Sequence, residues 1–293
     1  MYVGRLAPSP TGLLHLGHAR TFWIAYERSR AAAGRLWLRD EDLDFQRAKP
    51  EYSAAMKEDL RWLGIGWHHE AKQSERLSLY REAMIELVRR GDAYPCTCSR
   101  KDLAQAMAAP HEDDEPVYSG RCRPASHDGV NEFLPTINYR FRVHDGEAVA
   151  FVDGNAGPQR FVAGCTRNAD FGDFLVWRKA LTSDPRDEGL PSYQLSCVVD
   201  DAAMGITEVV RGRDLLKSTA RQMLLQRALH LPTPAYFHCD LMHDDHGVRL
   251  AKRHDALALR TLREQRYTPD QVRAMFEEQV FTDHSGHNAR VVG

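Results

Sequence analysis

The spacing of apolar and polar residues divides the chain into stretches with different periods. Residues 2–7 read as a short strand, stopped by Pro8 and Pro10, with Thr11 and Gly12 as a turn. From Leu16 the period becomes helical, with Leu16, Ala19, Trp23 and Tyr26 on one face. Gly34 ends that pattern, and residues 35–38 read as a second strand. Strand, helix, strand is the opening of a parallel α/β sheet. Helical patterns follow over residues 51–63 and 77–90, the second closed by Gly91.

The middle of the chain is different. From Tyr94 to Thr182 it offers only short β-like runs, at 138–143 and 149–152, among turn-rich stretches and an acidic loop at 112–115. Helical spacing returns at 192–199, a buried strand is expected at 206–210, and a long helix at 215–229. The expected organisation is an α/β domain, residues 1–93 and 183–266, interrupted by an insert at 94–182. Residues 267–293 then form a C-terminal helix and tail, with 281–293 polar and poorly ordered.

Composition narrows the class without choosing a function. A chain of 293 residues holds one large domain or two modest ones. With 43% hydrophobic and 27% charged residues it is an ordinary globular sequence. No apolar run approaches the roughly 20 residues that span a bilayer, and no basic-then-apolar leader is visible. A cytoplasmic location with no membrane partner is expected, and a monomer. The net charge of −2 means that any RNA contact needs a local patch. One candidate is Arg249, Lys252, Arg253, Arg260, Arg263 and Arg266, opposed only by Asp255 and Glu264. The competing reading of such a run is a solvated helix face.

His15 and His18 flank Leu16 and Gly17 directly after the first strand and its turn. At the mouth of a helix, positions i and i+3 share a face, so both imidazoles can point the same way. They would join backbone N–H groups that attract a phosphate chain. Gly17 lets a flat base approach the backbone. Two surface histidines or two metal ligands are the other readings of this spacing.

Residues 5–12, with His15 to His18 and Ala19, Arg20 and Thr21, closely resemble the start of the glutamyl-tRNA synthetases. His15 to His18 matches the HIGH motif of the class I synthetases. Residues 38–44 are similar to the family's LRIEDTD segment, and residues 193–201 and 205–212 match two further blocks in order. The resemblance runs to about Arg266. It implies a Rossmann-like class I synthetase catalytic domain, α/β in class, with an inserted zinc-bearing α+β domain. It also implies ATP as substrate with Mg²⁺ as phosphate counter-ion, and L-glutamate as the amino acid.

The residue types suit those substrates. A side-chain carboxylate is matched by a planar cationic fork, which Arg5 and Arg211 can supply. An ammonium needs an anion, which suits Glu41; Ser9 and Tyr193 offer hydroxyls. Leu6, Ala7 and Pro8 complete the expected glutamate set. His15, Gly17, His18 and Lys252 are the expected ATP contacts, with His15, His18 and Lys252 catalytic. Lys252 stands in residues 249–253, which resemble the family's KMSKS loop but carry Arg249 for the first Lys and no Ser. Its ammonium would neutralise the charge-rich transition state. Cys197 stands where the family usually has Asn, so a weaker glutamate affinity is expected.

Six cysteines are not read as disulfides, since nothing indicates secretion. Cys165, Cys197 and Cys239 lie in apolar surroundings and are expected to be small buried residues. Cys96, Cys98 and Cys122 cluster, and resemble a structural zinc site found in many bacterial members. By that resemblance Tyr118 is the fourth ligand; from chemistry alone His111 or His127 is preferred.

Full-length members continue through RNA-reading domains, whereas this chain runs only to Gly293. That resembles the truncated branch of the family, in which activated glutamate goes to queuosine in the anticodon of tRNA(Asp). The expected function is therefore glutamate activation without tRNA, then transfer to that base. The competing readings are a minimal enzyme charging a tRNA 3′ end and a non-catalytic, zinc-bearing RNA-binding module.

Overall fold

The computed structural model describes residues 1–98, 117–118, 120–125, 132–166, 168–180, 188–242 and 258–278. Strands β1 (Val3–Leu6), β2 (Arg35–Asp40) and β3 (His69–Lys72) form a parallel sheet in the order β1-β2-β3. Arg5 pairs with Trp37, and Trp37 with His69. Helix α1 (Leu16–Ala31) connects β1 to β2, and α2 (Pro50–Trp62) leads from β2 toward β3. The joint after α1 depends on Gly34: a Cβ there would stand 2.7 Å from the Tyr2 carbonyl oxygen, so only glycine lets the backbones pass. Pro50 opens α2, where its missing N–H is no loss.

After α3 (Leu77–Arg89) the chain enters an antiparallel sheet of β4 (Ala93–Cys96), β5 (Asn138–Phe141), β8 (Phe174–Arg178) and β9 (Leu190–Pro191), in that order. A hairpin, β6 (Glu147–Asp153) and β7 (Gly157–Ala163), falls between β5 and β8 in the chain and forms a sheet of its own. Then come α4 (Tyr193–Ala203), β10 (Glu208–Gly212), α5 (Leu216–Ala228) and β11 (Ala235–Cys239), with β10 and β11 paired in parallel. Contacts at both ends of the strand join this pair to β1, among them two to backbone carbonyls. The Thr207 N–H donates to the Val3 carbonyl at 2.8 Å, and Arg5 Nη1 donates to the Val210 carbonyl at 2.8 Å. The α/β arrangement expected from the sequence is present; the antiparallel sheet runs from Ala93 to Pro191, past the end of the expected insert at 94–182.

The insert is not a separate body. Tyr139, Phe141, Val149, Phe171 and Trp177 share one buried cluster with Leu195, Val198 and Val209. A second cluster holds Leu6, Leu36 and Leu38 with Leu60 of α2. It also takes Leu259 and Leu262 of α6 (Leu259–Glu264), and Val272 and Phe276 of α7 (Pro269–Glu278). The C-terminal helix is thus anchored by apolar side chains of its own, and residues 279–293 lie outside the described part. No helix among the described residues is long and apolar enough to cross a membrane.

The basic run is partly corrected. Arg263 reaches Asp59, which is wholly buried, at 2.8 Å and Glu58 at 2.9 Å; Arg260 reaches Glu58 at 3.4 Å. These two cations tie α6 to α2. Arg249, Lys252 and Arg253 fall outside the described residues.

Candidate active site

His15 is the N-cap of α1, and its imidazole accepts the Gly17 N–H at 3.1 Å. His18, one turn on, accepts the His15 N–H through Nδ1 at 3.5 Å, and the two rings stack with centroids 3.7 Å apart. The histidines therefore form a capping box in place of the usual hydroxyl and carboxylate. Because each Nδ1 accepts, each neutral ring carries its proton on Nε2. A Cβ at Gly17 would come within 3.1 Å of the His15 ring, so this glycine makes room for its own capping histidine. Sequence spacing gave the shared face; it did not reveal that the imidazoles occupy helix N–H groups themselves.

The loop after β1 is pinned to the end of β2, where the Glu41 N–H donates to the Pro8 carbonyl at 3.0 Å. Ser9 is exposed and Ala7 half-buried. Leu6 is wholly buried with Leu36 and Leu38, so its side chain supports the loop. Arg5 points from β1 toward Asp201, with Nε 3.6 Å from Oδ1, and that Nε makes no hydrogen bond among the described residues.

Glu41 is 8% exposed, and burial raises its carboxyl above the usual range against the pull of Arg39. Its Oε1 takes Arg39 Nη2 at 2.9 Å and Nε at 3.3 Å, with Cys197 Sγ at 3.6 Å. Oε2 accepts nothing among the described residues. Arg39, fully buried, also donates to Asp201 at 2.5 Å. Asp200, equally buried, accepts from Gln73, Arg76 and Tyr80. Burying this many charges is tolerable only because each has an opposite neighbour. Arg39, Asp200 and Asp201 were not singled out in the sequence, although an arginine within the apolar β2 run was a signal. Cys197 is buried as expected but faces Arg39 and Glu41, a charged setting and not an apolar one. Cys165 is another correction, since it is only half-buried.

Arg211, at the end of β10, is held on several sides. Its Nη1 donates to the Tyr193 hydroxyl at 3.3 Å, its Nη2 to Thr219 Oγ1 at 2.7 Å, and its Nε to His238 Nε2 at 3.1 Å. Tyr193 opens α4, which Ser192 caps by accepting the Leu195 N–H. Cys197 follows Tyr193 by one helical turn, so α4 touches Arg211 with one residue and Glu41 with the next. Arg5, Glu41, Tyr193 and Arg211, far apart in sequence, are thereby gathered at one place. Behind Arg211, burial and the guanidinium push His238 down to about 4, and its Nδ1 lies 2.6 Å from Asp153 Oδ2.

The cysteine cluster is assembled at the end of β4. The sulfurs of Cys96, Cys98 and Cys122 lie within 4.8 Å of one another. Cys98 and Cys122 are 3.8 Å apart, and the Tyr118 hydroxyl stands 3.5 Å from Cys98. Tetrahedral zinc with Zn–S of about 2.3 Å and Zn–O of about 2.0 Å would space its donors at about 3.8 and 3.5 Å. The donors fit a metal. Arg140 donates to Cys96 Sγ at 3.4 Å and lies over the Tyr118 ring at 3.8 Å, which suits electron-rich sulfur and oxygen ligands. His111 and His127 lie outside the described residues, as does Lys252.

Comparison with known proteins agrees with this geometry. Residues 2–289 match the family described as tRNA synthetases class I (E and Q), catalytic domain. A protein named Glutamyl-Q tRNA(Asp) synthetase from Symbiobacterium thermophilum is 43% identical, covering 93% of this chain and 84% of its own length. Another of that name from Rhodobacter capsulatus is 42% identical, covering 93% of this chain and 99% of its own. Among solved structures, a glutamate-tRNA synthetase from Elizabethkingia anophelis aligns with a TM-score of 0.69 at 26% identity. That match covers 86% of this chain, which spans 52% of the solved one.

Proposed function

This chain belongs to the class I (E and Q) tRNA synthetase catalytic-domain family, and on that premise we propose that it activates L-glutamate with ATP and transfers it to queuosine in the anticodon loop of tRNA(Asp). One observation carries the amino-acid half. Glu41 has one carboxylate oxygen saturated by Arg39 and the other without a donor among the described residues, beside Arg5 and the Arg211–Tyr193 pair. An α-ammonium would complete Glu41, and a side-chain carboxylate would be met by the arginines.

In the first step a carboxylate oxygen of glutamate attacks the α-phosphorus of ATP. The bond to the β-phosphate breaks and pyrophosphate leaves; Mg²⁺, where bound, would serve as counter-ion to its charge. The Nε2–H groups of His15 and His18, next to the N-terminus of α1, suit the phosphate chain, with Gly17 between them. Lys252 is assigned the transition-state charge. In the second step a hydroxyl of queuosine's cyclopentene-diol attacks the glutamyl carbonyl, AMP leaves, and the hydroxyl proton is lost. A zinc ion held by Cys96, Cys98, Tyr118 and Cys122 would staple the insert and take no part in either step.

The names of the two relatives support the acceptor, and an anticodon loop offers single-stranded bases that can be splayed out and read. The solved neighbour's name keeps the tRNA 3′ end as the second reading. The experiment follows labelled glutamate, first in pyrophosphate exchange without RNA, then in transfer to tRNA(Asp) with and without queuosine. Exchange without RNA is expected. Transfer is expected only to the modified tRNA, and periodate oxidation of the queuosine diol is expected to stop it while the protected 3′ end leaves it unchanged. Glutamate on the 3′-terminal adenosine would establish the second reading; binding of RNA with no exchange at all would favour a non-catalytic module.

A further inference from the structure

We propose that Asp153 and His238 are positioning residues for Arg211: the carboxylate fixes the imidazole tautomer, and the imidazole fixes the guanidinium. Arginine can only donate, so the 3.1 Å contact between Arg211 Nε and His238 Nε2 requires Nε2 to accept. The proton must then sit on Nδ1, which faces Asp153 Oδ2 at 2.6 Å. Asp153 is itself held, accepting the backbone N–H groups of Asn155 at 3.0 Å, Ala156 at 2.7 Å and His238 at 3.1 Å. Both side chains are wholly withdrawn from solvent, so water cannot replace either partner. With the other tautomer, an Nε2–H would oppose the Arg211 N–H and turn to Thr219 Oγ1, 3.1 Å away, so the guanidinium would lose its Nε contact.

The source of Asp153 gives the arrangement its interest. It ends β6, in the hairpin of the insert, while His238 lies on β11 and Arg211 on β10. The hairpin tip is docked by the Gly154 N–H on the Tyr236 carbonyl at 2.8 Å, and by Asn155 Nδ2 on the His238 carbonyl at 2.9 Å. The insert thus supports the amino-acid site without being expected to touch the amino acid.

This rests on the reading of the site as one for glutamate, and the test separates the two. Asp153→Asn is isosteric: its Oδ1 can keep the backbone bonds while its amide Nδ2 donates toward Nδ1 and drives the proton to Nε2, as in other carboxylate–imidazole pairs. The expected result is a rise in the glutamate KM of about 10-fold or more, from losing one charge-assisted contact, with the ATP KM unchanged. Side-chain 15N spectra are expected to move His238 from the Nδ1–H to the Nε2–H form. In a His238→Gln background, where the amide oxygen can accept from Arg211 whatever stands at 153, Asp153→Asn is expected to add little. A folded Asp153→Asn protein with the wild-type tautomer, or with an unchanged glutamate KM, overturns the proposal. If Asp153→Asn does not fold, the pair His238→Gln and His238→Leu decides: a glutamate KM equal in the two overturns it. Wild-type protein that shows no exchange with glutamate overturns the glutamate reading instead, and the tautomer then decides this one alone.

Discussion

Arg39 holds Glu41 from two residues away along the chain, with Nη2 and Nε both on Oε1, so the carboxylate is fixed with its second oxygen turned to whatever enters the site. The pair is oriented, not merely neutralised. Glu41→Gln keeps the shape and removes the charge. It is expected to raise the glutamate KM by at least ~10-fold, in line with loss of a hydrogen bond to a charged group, and to leave the ATP KM unchanged. Pyrophosphate exchange at varied glutamate and varied ATP checks this; equal effects on both would place Glu41 elsewhere in the reaction.

Arg211→Ala removes the cation that Tyr193, Thr219 and His238 hold in place. Glutamate activation is expected to fall by about 2–5 kcal/mol of transition-state stabilisation, the range for truncating one partner of a buried charge pair. ATP binding, measured by calorimetry, is expected to persist. A variant that activates glutamate normally would move the side-chain carboxylate to Arg5 alone.

How much of this was readable from sequence depends on what set each element. The helices α1, α2, α3 and α4 carry regular apolar faces or clear caps, α5 is buried all round from Ser218 to Gln226, and the expected spans meet the observed ones within a few residues. β3 escaped because His69–Lys72 is polar and mostly exposed, an edge strand with no alternation to see. β7 begins with glycine and proline, which read as a turn. In the site, Arg5, Glu41, Tyr193 and Arg211 came from family motifs. Arg39 reaches Asp201 across 162 residues of chain and Asp153 reaches His238 across 85, and a local pattern carries neither. The shared core of insert and catalytic half was hidden for the same reason.

Metal binding is predicted at one zinc per chain. Cys98→Ser is expected to lose the metal and lower the melting temperature, because Cys98 touches both Cys122 and Tyr118 and a structural zinc contributes folding energy directly. Metal analysis of protein purified without chelators checks the stoichiometry. Tyr118→Phe tests the fourth ligand: unchanged zinc affinity would return that place to a histidine.

Gly17→Ala separates two roles of a small residue. The new methyl would press on the His15 ring at 3.1 Å, so the ring must give by a few tenths of an ångström, which loosens the capping box. The expected consequence is a higher ATP KM and a lower kcat, with the glutamate KM little changed. Helix stability itself is expected to suffer little, since alanine favours a helix over glycine by up to about 1 kcal/mol. An unaltered ATP KM would mean that the His15 ring can shift without harm.

The acid limb of glutamate binding is expected to be set by Glu41. Burial raises its carboxyl, so it takes up a proton at a higher pH than a surface glutamate, near 4.3 in its ordinary state. A raised carboxyl pKa means the folded chain accepts that proton more readily than the unfolded one. By linkage, protonating Glu41 therefore does not weaken the fold; its contribution to stability is present at low pH and lost as pH rises through the folded pKa. Binding behaves oppositely, because a neutral carboxyl cannot pair with an ammonium. As pH falls from 7 toward about 5, still above the titration of glutamate's own side chain, the glutamate KM is expected to climb. Meanwhile the melting temperature shows no loss attributable to this group. In Glu41→Gln the limb is expected to disappear, leaving a KM that is high and flat. A wild-type KM that stays flat down to pH 5 would show that Glu41 remains ionised there, with Arg39 outweighing burial.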